Sequence, residues 1–98
     1  MKVLGLMTGT SADGVDAVLV NFHGSPTQPK WELLNFVSTP YPDSLSKNVI
    51  DVNQGKKINS NDWLNLTESI TEINAQAAKA CDPNGESQLV GCHGQTVI

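Results

Sequence analysis

The chain changes its hydrophobic period once, at Thr39-Pro40-Tyr41-Pro42, and that change limits its fold more than any other feature. Before it come short apolar runs separated by turn-forming residues. Lys2 to Thr8 suits a buried strand, and Val15 to His23 follows with Val15, Val18, Leu19, Val20 and Phe22. The second run alternates imperfectly between apolar and polar. Trp31 to Val37 supplies a third strand, with Glu32 and Asn35 interrupting it. The loops between them are Thr8 to Gly14, with a favoured Asp13-Gly14 turn, and Gly24 to Pro29, where two prolines are expected to forbid a ladder. Three successive strands joined this way form a meander, expected to be antiparallel.

After the switch the period is helical. Leu45, Val49 and Val52 fall at i, i+4 and i+7, with Asp43 or Ser44 as the expected cap and Gly55 as the stop. A longer helix has Asn59, Ser60 or Asn61 as cap. Its apolar stripe of Trp63, Leu66, Ile70, Ile73 and Ala77 reads as core, and Glu68, Glu72 and Lys79 lie off it. Asp82-Pro83-Asn84-Gly85 ends this helix, and Leu89-Val90-Gly91-Cys92 begins a further strand. The expected fold is therefore α/β: an antiparallel strand meander over about 2–38, helices over about 44–54 and 61–81, and a strand over about 88–92. Thr96-Val97-Ile98 reads as the start of another strand, and the sheet keeps an unprotected edge, so the chain is expected to be a fragment whose partners lie further along the sequence.

Composition removes several classes of function. The 98 residues make one domain at most, and 39% apolar with 16% charged residues is a globular balance that supports one modest core. A net charge of −4 and only six Lys and Arg cannot form the basic surface that nucleic acid or an anionic membrane requires. No apolar run approaches the ~20 residues of a membrane span. The run Val3 to Met7 breaks at Thr8, short of the ~7–15 residues of a secretory signal core, so a cytoplasmic location is expected. Cys81 and Cys92 form no C-x-x-C pair and are expected to stay reduced, with no disulfide and no zinc site.

Two polar loops carry the candidate chemistry. Thr8, Gly9, Thr10, Ser11, Asp13 and Gly14 bring hydroxyls, backbone N–H groups and a carboxylate together, as an anion-binding nest requires. Asp13 or Asp16 offers a carboxylate for Mg2+, held through water. The loop is neither a Walker A sequence nor a G-x-G-x-x-G fingerprint, and strand rather than helix follows it. From spacing alone, a tight Asp-Gly hairpin without ligand accounts for the same residues, and both readings stand. Gly91-Cys92-His93-Gly94-Gln95-Thr96 follows an apolar strand, where open α/β sheets commonly place ligands. His93, Gln95 and Thr96 supply donors and acceptors there, although a lone histidine is also accounted for as a structural residue.

Taken together, the two motifs are recognisable. Gly5-Leu6-Met7-Thr8-Gly9-Thr10-Ser11-Ala12-Asp13-Gly14-Val15-Asp16 resembles the opening of the anhydro-N-acetylmuramic acid kinases, members of the actin, hexokinase and heat-shock-protein-70 ATPase superfamily. Gly91-Cys92-His93-Gly94-Gln95-Thr96-Val97 resembles that family's next signature. The resemblance covers essentially all 98 residues but only the amino-terminal part of a family member. Thr8 stands where Ser is usual and Ala12 where Leu is common, and neither change undermines the match.

The resemblance implies the amino-terminal part of an actin-like ATPase (ribonuclease H-like) lobe, with ATP between two lobes. It implies hydrolysis of the 1,6-anhydro bond of anhydro-N-acetylmuramic acid and ATP-Mg2+-dependent phosphorylation of O6. The product is N-acetylmuramic acid 6-phosphate, made in recycling of bacterial cell wall. By position, Gly9, Thr10, Ser11, Ala12, Asp13, Gly14, Val15 and Asp16 become the ATP phosphate hairpin, with Asp13 as the carboxylate for Mg2+. His93, Gln95 and Thr96 lie towards the sugar. The family's general-base aspartate belongs to a Gly-x-Asp-x-Gly-Pro-Gly-Asn stretch that nothing here matches, so the chain alone is expected to be inactive. A homodimer is compatible with this reading. The alternative is a small, non-enzymatic, acidic α/β interaction module.

Overall fold

Apolar residues of the meander meet across strands, and that registry builds the sheet on which everything else rests. The computed structural model describes residues 1–8 and 12–93. Its elements are β1 (Lys2–Thr8), β2 (Gly14–Ser25), β3 (Gln28–Pro40), α1 (Asp43–Asn53), α2 (Ser60–Cys81) and β4 (Leu89–Cys92). The strand order is β3-β2-β1-β4, with β1–β2 and β2–β3 antiparallel and β4 parallel to β1. The expected α/β arrangement of meander, two helices and further strand is the one observed. Because β3 and β4 run the same way, α1 and α2 form the crossover that a parallel pair requires.

One face of the sheet is closed. Leu4 pairs with Leu19, Leu6 with Ala17 and Thr8 with Val15, and all six are buried. Leu45, Val49 and Val52 of α1 and Leu66, Ile73, Ala77 and Cys81 of α2 complete a single core with them. Asn35 on β3 anchors the end of α2, its amide donating to the Cys81 carbonyl at 2.9 Å. Asn59 is the observed cap of α2, accepting from the Asp62 N–H at 2.8 Å.

Three local expectations are corrected. Pro29 does not forbid a ladder: it pairs with Gly24, because β3 is an edge strand whose outer side needs no N–H donor. Neither Asp43 nor Ser44 caps α1. Pro42 takes that position without a side-chain cap, and its carbonyl accepts the Ser46 N–H at 3.0 Å. Trp63 is 40% exposed rather than core, since burial along α2 begins a turn later, at Leu66.

Among the described residues the other face carries no second layer. Side chains alternate across a strand, so the residues between the buried ones point away from the helices. Phe36 there is 52% exposed and Met7 also 52%. A bulge in the β2–β3 ladder between Leu19 and Val20 leaves Leu34 without a cross-strand partner. It also turns Leu33 and Trp31 onto this same face.

Candidate functional site

The carboxyl ends of β1, β3 and β4 meet at one end of the sheet, and the two polar motifs meet with them. At this end β1 leaves at Thr8 and β2 enters at Gly14. A Cβ added at Gly14 would lie 2.5 Å from the Thr39 carbonyl oxygen, so only glycine fits where β2 passes the end of β3. Ala12 adopts φ 53 and is wholly buried, a left-handed conformation that costs a non-glycine residue roughly 1–2 kcal/mol. Two hydrogen bonds from the β3–α1 corner hold this backbone. The Ser46 hydroxyl donates to the Ala12 carbonyl at 2.8 Å, and the Tyr41 N–H donates to the Asp13 carbonyl at 2.9 Å.

Asp16 follows on β2 and lies on the bare face between Met7 and Ser38. The Ser38 hydroxyl donates to Asp16 Oδ1 at 2.5 Å, fixing one carboxylate oxygen. Asp13 and Asp16 are both exposed. At the far side of β1, the His93 N–H donates to the Leu6 carbonyl at 2.9 Å, so His93 emerges at the same sheet end one residue past the Leu6–Cys92 pair. The fold therefore gathers Thr8, Asp13, Gly14, Asp16 and His93 at one end. Val15 is also here, but its side chain is core, so its contribution to this end is through backbone alone. Gly9, Thr10, Ser11, Gln95 and Thr96 lie outside the described residues.

Sequence reasoning missed the floor of this end. Tyr41, read only as part of the period switch, is buried in the core, and burial, then the charges of Asp13 and Cys92, push its phenol upward. Ser38 and Ser46 were likewise missed, being single polar residues in a strand and a helix. The one signal that could have found this floor is a tyrosine set between two prolines at the period change. Cys81 is buried, its thiol pushed up by burial and then by Asp82, whereas Cys92 is exposed, with its thiol 3.8 Å from Asn74 Oδ1.

Among the described residues no three His, Cys, Asp or Glu side chains cluster as a metal cage. The exposed Asp13 and Asp16 suit a hard cation that keeps most of its water, the way Mg2+ is usually held. A concavity of about 360 Å3 lies elsewhere, between α1 and α2, with Lys56, Lys57 and Asp62 among its lining residues, and Lys56 reaches Asp51 at 3.9 Å.

This mixed four-stranded sheet, with its meander and helical crossover, is the α/β arrangement expected of the amino-terminal part of an ATPase-like lobe. The sequence matches the family model for anhydro-N-acetylmuramic acid kinase over residues 1–98, and the chain belongs to that family. An anhydro-N-acetylmuramic acid kinase of Prochlorococcus marinus strain MIT 9303 is 65% identical over 99% of this chain and 26% of its own length. One from strain NATL1A is 60% identical over 100% of this chain and 26% of its own, and one from Synechococcus sp. strain CC9902 is 55% identical over 99% and 26%. The chain thus spans about a quarter of the length of the curated relatives it matches. No helix among the described residues is long and apolar enough to cross a membrane.

Proposed function

We propose that this chain is the phosphate-binding portion of a cytoplasmic sugar kinase. The enzyme opens the 1,6-anhydro bond of anhydro-N-acetylmuramic acid with water and phosphorylates O6 from ATP, giving N-acetylmuramic acid 6-phosphate in cell-wall recycling. The observation that carries the reading is the convergence of the Thr8–Asp16 hairpin with His93 at the carboxyl ends of parallel strands, where α/β sheets bind ligands. ATP with Mg2+ supplies the transferable phosphoryl group. Backbone N–H groups of residues 9 to 14 cradle its phosphates, and Asp13 holds the cation through water. Asp16, steadied by Ser38, adds fixed negative charge on the same side. His93, with Gln95 and Thr96, faces the sugar. Neither aspartate is assigned as general base, and the 98-residue chain alone is inactive.

The test replaces the matching quarter of a full-length relative with this chain and compares it with Asp13→Ala. Losing one preorganised electrostatic group lowers turnover ~10²-fold or more. Turnover unchanged in Asp13→Ala would remove the assigned role. The exposed apolar face favours a second reading, an acidic interaction module without ATP. A cooperative thermal transition of the 98-residue chain that ATP-Mg2+ does not shift would support that reading.

A further inference from the structure

Among the described residues Ala12 is the only non-glycine with a positive φ, at 53, and it lies in the hairpin. Such a conformation persists only where the surrounding structure over-determines it, and such residues cluster at ligand clamps. Three restraints hold this one. The Ala12 methyl is wholly buried in the core, the Tyr41 N–H fixes the Asp13 carbonyl, and the Ser46 hydroxyl donates to the Ala12 carbonyl at 2.8 Å. Of the three, Ser46 is the one that acts by a side-chain hydrogen bond, so one substitution removes it and leaves the others in place. Ser46 is itself half-buried in the first turn of α1, where its N–H donates to the Pro42 carbonyl at 3.0 Å. Leu45 and Val49 beside it are buried in the core. The helical layer, and not the sheet, therefore sets where this hydroxyl stands.

Peptide planarity carries that restraint to the next residue. In a trans peptide the carbonyl of one residue and the N–H of the next point opposite ways, and no described peptide bond is cis. With its carbonyl turned towards α1, Ala12 sends the Asp13 N–H away from α1. The Asp13 carbonyl, turned towards Tyr41, likewise sends the Gly14 N–H away from the β3–α1 corner. Successive N–H groups next to a left-handed residue are the material of an anion-binding nest. We propose that Ser46 is a positioning residue for the phosphate hairpin: by holding the Ala12 carbonyl it aims the Asp13 N–H at the ATP phosphates. It acts through Ala12 and touches neither nucleotide nor sugar. This role rests on the phosphate-hairpin reading above, and adds to it the side chain that sets the direction of the donors.

Separate titrations with ATP-Mg2+ and with anhydro-N-acetylmuramic acid decide it, in the full-length relative whose matching quarter is this chain. The variants are Ser46→Ala, Ser46→Thr and Asp13→Ala. Alanine is the better helix former, so Ser46→Ala keeps α1. A misdirected donor forfeits a charge-assisted hydrogen bond, so Ser46→Ala weakens ATP-Mg2+ binding on the order of 10-fold. Sugar affinity and melting temperature stay unchanged. Ser46→Thr, which keeps the hydroxyl, restores ATP-Mg2+ affinity. Unchanged ATP-Mg2+ affinity in Ser46→Ala, beside a loss in Asp13→Ala, overturns the positioning role and leaves the hairpin reading standing. Unchanged affinity in both variants takes the hairpin reading down as well. Equal weakening of ATP-Mg2+ and sugar overturns the role in favour of a structural one, as does a fall in melting temperature that Ser46→Thr repairs without restoring ATP-Mg2+ affinity. If Ser46→Ala does not fold, Ser46→Cys takes its place, because a thiol nearly keeps the volume and is only a weak donor. The same outcomes then decide.

Discussion

The two faces of the sheet are built from the same four strands, yet one is closed and the other bare. On the closed face each residue has a cross-strand partner and the helical layer above it: Leu4, Leu19, Leu6 and Ala17 share one core with α1 and α2 at 6% exposure or less. On the bare face the cross-strand partners are as apolar, with Val20 opposite Leu33 and Val18 opposite Phe36, but no helix among the described residues lies above them. Pairing within a sheet therefore does not by itself remove apolar surface from water; a second layer does. Stability should follow the layer and not the hydrophobicity of the residue.

The largest expected effect lies on the closed side. Leu4, 3% exposed, sits at the centre of the sheet between Leu19 and Val90. Leu4→Ala should lower unfolding free energy by about 2–5 kcal/mol, because the lost transfer energy is joined by an unfilled cavity. In a domain whose whole stability is ~5–15 kcal/mol, that is enough to unfold a substantial fraction of molecules at 37 °C. A urea melt of Leu4→Ala with an unchanged midpoint would mean that the helices do not close this face.

A smaller effect tests what ties the helical layer to the sheet. At the end of α2 the Asp82 carboxylate accepts the Glu86 N–H at 2.9 Å and the Ser87 N–H at 3.0 Å, turning the chain into β4. The backbone N–H of Ser87, then that of Glu86, then the Ser87 hydroxyl and the Lys2 charge hold this carboxyl below its ordinary value. A group with a lowered folded pKa adds stability that is fully present above its unfolded pKa. That stability is lost as pH falls through the folded pKa. The gap in melting temperature between the protein and Asp82→Asn should therefore be constant above about pH 5 and close towards pH 2. A gap that does not change with pH would show that the carboxylate's charge is not what holds the turn.

Much of this was legible in the sequence, and the exceptions share a cause. The period change at Thr39 to Pro42 separates strands from helices because periods of 2 and 3.6 are distinct. The α1 stripe, the Asn59 cap and the stops at Gly55 and Asp82 are local chemistry, and they are found where local chemistry places them. What the sequence does not show is long-range: the Tyr41 clamp on Asp13, the Ser38 bond to Asp16, and a bulge that moves Leu33 to the other face. Each depends on a partner that no spacing rule names. One further cue lies in β2. The imperfect alternation of Val15 to Phe22, with Val18 and Val20 set among Val15, Ala17 and Leu19, is the pattern of a strand meant to be covered on both faces.

That cue makes the smallest predicted effect the most informative. Phe36 is larger than Leu4, and by hydrophobicity alone Phe36→Ser should be the more damaging change. In this chain Phe36 is half exposed and pairs only with Val18, so its loss should cost less than about 1 kcal/mol, the worth of one cross-strand pair. Urea melts of Leu4→Ala and Phe36→Ser in the 98-residue chain give the ratio directly. Comparable losses would show that the second face is already covered in the short chain, whether by a second copy or by its own residues. A large loss from Leu4→Ala beside a slight one from Phe36→Ser would show one working layer and one waiting surface.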